Sequence, residues 1–159
     1  MKNIIYLFLL LSIAFACKKS DTATTDTGGS PITTNPPKPV LNMYVNDSFW
    51  QGTDPYADAT IFSGQADSSY SLRASGSSST NIVVAFDKIK KGRQILNGNT
   101  TYSTGKIIYT FDSGSVVINS YDPVKNIISG TFQGSVRNRS SNQKFILTKG
   151  FFSNINLYR

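Results

Sequence analysis

Asp54 and Asp58, four residues apart, are the closest approach in this chain to a paired-carboxylate site. Two carboxylates can divide acid and base work in glycoside hydrolysis, and clustered ones can supply oxygens to calcium. The local pattern argues against both. Asp54-Pro55 reads as a turn and Asp58 as a solvent-facing strand residue, while Asp67 stands apart and no D-x-D-x-D run occurs. The wider inventory is equally restrictive. There is no His, all nine acids are Asp, and a single Cys is present. A nucleophile would have to find its base among Asp, Lys and Tyr, and no nucleophile-turn signature accompanies the many Ser and Lys residues. The sequence therefore assigns no catalytic residue, no metal ligand and no cofactor, and the expectation is a protein that is not an enzyme.

Binding chemistry is better represented. Trp50 and Tyr56 are candidates for a ligand surface, since an aromatic face can stack on a sugar or line a barrel mouth. Against this, most aromatics of a half-buried sheet simply pack its core. Lys88, Lys90, Lys91 and Arg93 form a basic cluster around Gly92, in a chain of formal net charge +7. Such charge attracts anionic lipid headgroups or acidic glycans. The simpler reading is a solubilising loop in which Ile89 points inward and both flanking lysines point out. Nucleic acid is not expected, because no basic-aromatic stacking motif is present.

The one Cys lies where it has a specific use. Residues 1–16 carry Lys2, then an apolar run from Ile4 to Phe15 interrupted by Ser12, and end in small residues. That run is too short to span a bilayer, which takes about 20 apolar residues, and it matches a secretory signal peptide. Ala14-Phe15-Ala16-Cys17 resembles a bacterial lipobox, with Ala14 where Leu is usual. Lipidation at Cys17 would attach diacylglycerol and a further acyl chain such as palmitate. Two or three chains anchor stably where one is marginal. The expectation is an outer-membrane lipoprotein on the periplasmic or cell-surface face, held by its lipid, with an envelope protein or a glycan as partner.

The elements that would carry these residues follow from composition. Residues 17–39 comprise the lipidated Cys and a Ser/Thr/Gly/Pro-rich stretch that lacks the apolar surface to order itself. They read as a flexible tether, reaching about 25 Å as a random coil. Residues 40–159 turn to Tyr, Phe, Ile, Val, Thr and Ser with period-two alternation. Leu41, Met43 and Val45 share a face before a tight turn at Asn46-Asp47. Tyr70, Leu72 and Ala74 share another, as do Ile82, Val84 and Phe86, then Ile107, Tyr109 and Phe111. Asp112-Ser113-Gly114 reads as a turn, Tyr121-Asp122-Pro123 as the next, and Ile128, Phe132 and Val136 line one face. The last strand alternates through Phe145, Leu147, Phe151, Ile155 and Leu157, with Gly150 as a bulge.

The fold expected is all-β, an antiparallel sandwich or a partly open up-and-down barrel of about nine or ten strands. Membrane-barrel strands would be longer and would show a lipid-facing apolar row.

Gly114 to Asp122, Asn126 to Phe132 and Leu147 to Phe152 together resemble a family of small Bacteroidota envelope lipoproteins of unknown function. The family pattern is G-x-V-x-I-T-x-Y-D … I-S-G-T-F … T-x-G-x-F. Val45 to Trp50 is similar to the family's V-N-G-x-x-W hairpin, with Asp47 in place of Gly. The resemblance implies export and an all-β fold, and carries over no catalytic residue. Two functions remain open: a non-enzymatic binding or scaffolding lipoprotein, or a lipocalin-like carrier with a small apolar ligand inside a barrel.

Overall fold

A computed structural model describes residues 37–61 and 68–158. The expected signal peptide, Cys17, nearly all of the tether and Asp67 lie outside the described residues. Ten strands follow in order: β1 Val40–Val45, β2 Ser48–Gln51, β3 Thr53–Ile61, β4 Ser68–Ser75, β5 Thr80–Phe86, β6 Gly92–Ile95, β7 Thr101–Thr104, β8 Ile107–Asp122, β9 Ile127–Arg137 and β10 Lys144–Tyr158. The class is all-β, as the alternation predicts.

Local chemistry sets the turns. Asn46 and Asp47 both adopt left-handed φ, 46° and 66°, which closes the β1–β2 hairpin in two residues. At the β8–β9 turn, Asp122 Oδ1 accepts the backbone N–H groups of Val124 and Lys125, and Asn126 at φ 51° returns the chain.

Three strands organise the rest. β8 has 16 residues and β10 has 15. A straight strand of that length would run roughly 50 Å, against roughly 35 Å for the width of a domain this size. They must therefore bend, and the bends are bulges. The β8–β9 register shifts between Phe111 and Ser113 and between Ile118 and Ser120. The β9–β10 register shifts between Leu147 and Gly150 and between Phe152 and Ile155. Asp112-Ser113-Gly114 is thus an irregularity inside one long strand, not the turn its composition suggests, because β9 pairs with β8 on both sides of it. Each β10 bulge also inverts the inside-outside parity. Phe152 is buried and Phe151 is 42% exposed, which corrects the expected inward Phe151.

The pairings close a ring. β10, β3, β4, β5, β7, β8 and β9 follow one another and return to β10. All contacts are antiparallel except the one between β10 and β3, where Leu157 and Tyr158 pair in parallel with Ala57 and Asp58. β1 and β2 extend from β10, and β6 extends from β8. The result is an irregular ring that combines features of both expected architectures. Inside it Leu41, Met43, Leu72, Phe86, Tyr109 and Phe152 are fully buried and belong to one continuous apolar cluster.

Candidate functional site

Tyr56 reaches solvent because of a bulge. The β3–β4 register shifts between Thr53 and Tyr56, with Asp54 at φ 45° and Pro55 buried. Beyond the bulge regular pairing resumes, so Ala57 is completely buried while Tyr56, 41% exposed, and Asp58 point outward. Across the strand Tyr56 pairs with Arg73. The Arg73 Nε–H donates to both oxygens of Asp58, at 3.2 and 3.1 Å. This pair is half-exposed, so its worth to stability is about 0–1 kcal/mol. Its effect is to fix a carboxylate and a guanidinium beside the Tyr56 ring.

The parallel contact supplies the second ring. Pairing of Tyr158 with Asp58 sets Tyr158, 60% exposed, edge-on to Tyr56 at 6.3 Å between centroids. Two grooves meet here and share Asp54 and Tyr56. One, of about 430 Å³, continues along Thr53, Arg73, Ser75 and Asn81. The other, of about 540 Å³, runs past Pro39, Asp58, Asn156 and Tyr158. Two aromatic faces, two carboxylates, a guanidinium and two amides thus line one open surface. Such a set can stack on apolar ring faces and hydrogen-bond to hydroxyl groups. Both oxygens of the Asp58 carboxylate are engaged by the Arg73 guanidinium.

Trp50 departs from the expectation. It is 8% exposed, its indole N–H donates to Thr80 Oγ1 at 2.8 Å, and the Gly76 backbone lies so close that a Cβ there would strike the ring. Trp50 is a core residue that fastens β2 to the β4–β5 hairpin, and the candidate surface is corrected to Tyr56 and Tyr158. Sequence reasoning missed Tyr158, Asn156 and the role of Arg73. Tyr158 is legible as outward once Leu157 is inward, but no sequence pattern announces the short parallel contact that brings it to Tyr56.

Two other clusters are built around charge. Asp112 Oδ2 accepts from Lys144 Nζ at 2.7 Å, Ser135 Oγ at 3.1 Å and Arg137 Nη2 at 3.5 Å. The Lys144 hydrogen bond, then that of Ser135, holds the Asp112 carboxyl below its ordinary value. Ser135 also shares a hydrogen bond with Ser113 Oγ at 3.0 Å. Lys144 is committed to a carboxylate here. In the basic segment, Ile89 packs against the core while Lys88 and Lys90 are exposed, as expected. Arg93, however, belongs to edge strand β6, which the loop reading omitted.

Comparison with protein-family models, with curated proteins and with solved structures gives no match for this chain.

Proposed function

We propose that this chain is a membrane-anchored envelope lipoprotein with a non-enzymatic binding role, and that its β domain binds a saccharide at the Tyr56–Tyr158 surface. The anchoring part of the reading rests on Cys17 after a signal-like segment and on the resemblance to the Bacteroidota lipoproteins. The binding part rests on one observation. Two exposed tyrosine rings stand beside the Asp58–Arg73 pair at the junction of two open grooves. Sugars present apolar ring faces and hydroxyl edges together, and this surface offers partners for both. The interior supports an outer site over a carried ligand. The inward rows from Leu41 to Leu157 pack as one apolar core, and the grooves at Tyr56 open outward.

The test is binding of soluble neutral oligosaccharides by the domain, read by calorimetry over a panel of linkages. Tyr56→Ala with Tyr158→Ala should weaken a hit by about tenfold or more, the loss of one to two stacking contacts. Trp50→Phe should leave it unchanged. A hit unaffected by the double tyrosine variant would sink this site.

A further inference from the structure

A second surface, remote in sequence from Tyr56, carries different chemistry. Its geometry follows from register. Arg93 of β6 pairs with Val117 of β8, Val117 with Thr131 of β9, and Thr131 with Phe151 of β10. This row crosses four strands, a span of about 14 Å at the usual strand spacing. The neighbouring row runs from Ser115 to Gln133, and Gln133 faces the bulge of Thr148 and Lys149 between Leu147 and Gly150. The bulge puts Lys149 in left-handed backbone at φ 49°, and its ammonium lies 5.1 Å from the Tyr44 ring centre. Two grooves of about 430 and 400 Å³ occupy these rows and share Arg93, Ser115 and Gln133.

The charge of this surface is one-sided. Neither groove is lined by an acidic residue. Lys144 is neutralised by Asp112, but among the described residues neither Arg93 nor Lys149 makes an ion pair. Two cations therefore stand at opposite sides of a groove whose floor offers the Thr131 hydroxyl and the Gln133 amide, flanked by the half-exposed Phe151 ring. The long-range field of a chain of net charge +7 favours the same sign of partner.

We infer that the outer face of β6–β8–β9–β10 binds a linear acidic polysaccharide, its carboxylate or sulfate groups meeting Arg93 and Lys149 and its hydroxyls meeting Thr131 and Gln133. Two separated cations with the exposed Thr131 and Gln133 side chains between them suit an extended polyanion. Ile95, Ile146 and Phe151 are also exposed on or beside this face, so a lipid surface is the competing occupant, which vesicles test. This goes beyond the saccharide proposed at Tyr56, and it stands or falls separately.

The probes are polygalacturonate, neutral dextran, and vesicles of phosphatidylglycerol in phosphatidylcholine. Arg93→Gln with Lys149→Asn removes both charges, and Asn tolerates the left-handed backbone at position 149. Lys90→Gln with Lys91→Gln removes the same charge from the adjacent loop. Polygalacturonate should bind where dextran does not. The groove variant should weaken that binding by about tenfold and the loop variant by no more than about twofold, with thermal unfolding unchanged in both. Equal losses in the two variants would reduce the effect to diffuse net charge and overturn the site. Vesicle binding without polygalacturonate binding would overturn it in favour of a lipid surface. Loss of binding on Tyr56→Ala alone would return the polymer to the other site.

Discussion

Asp112 gathers a lysine, an arginine and a serine hydroxyl onto one oxygen, and that arrangement has a pH signature. The Lys144 hydrogen bond is the main reason its carboxyl titrates below its ordinary value of 3.8. Asp122 is lowered similarly, chiefly by the backbone N–H of Lys125. A group whose folded value is depressed adds stability above its unfolded value, and that stability is lost as pH falls through the folded value. Melting temperature should therefore drop below about pH 4, the ordinary carboxyl range. Asp112→Asn should lie below the wild type at neutral pH and converge with it as the medium is acidified. A gap that stays constant across that range would mean that Asp112 acts by shape and not by charge. Trp50 poses the opposite kind of test. Trp50→Phe keeps most of the apolar packing and removes the hydrogen bond to Thr80, a cost of about 1 kcal/mol in denaturant unfolding, whereas Trp50→Ala should cost about 3–5 kcal/mol.

At the scale of the strand, residue parity could be read only as far as the first bulge. Leu41, Met43 and Val45 are buried as alternation requires, and so are Ile82, Val84 and Phe86. In β10 the same rule assigns Phe151 inward, and one extra residue at the Thr148-Lys149 bulge hands that place to Phe152. Bulges are set by the partner strand as much as by the bulged one, so a single strand's pattern does not expose them. The glycines around them mark close approaches, and the structure gives the contacts. A Cβ at Gly130 would sit 2.1 Å from the Val117 carbonyl oxygen and 2.6 Å from Phe152 Cζ. A carbonyl within a paired strand cannot turn aside as a side chain can. Gly130→Ala should therefore destabilise the domain by about 1–3 kcal/mol or more, measured by chemical denaturation. A change within about 0.5 kcal/mol would show that β8 and β9 can part there without loss.

For the whole molecule, the all-β class was legible and closure was not. Strand-forming composition and turn residues point to an all-β domain from short-range signals alone. The ring depends on Leu157 and Tyr158 meeting β3, a contact between residues a hundred positions apart that leaves no local mark. The candidate site inherits that limit, since Tyr56 could be picked out by type but its partner ring arrives only through closure. The division of the chain carries the last prediction. Pro36–Arg159 forms a compact unit, and Cys17 lies outside the described residues. If lipid at Cys17 is what holds the protein to the envelope, anchoring and folding are separate properties. Cys17→Ala should move the protein from the membrane to the soluble fraction, because the loss of every acyl chain removes about 0.8 kcal/mol for each buried methylene. The melting temperature of the β domain and its affinity for saccharide should be unchanged. Membrane association that survives Cys17→Ala would sink the lipid anchor. If that residual association then vanished with Arg93→Gln and Lys149→Asn, the basic face would be what holds the protein to the membrane, and the acidic-polymer reading of that face would fall with the anchor.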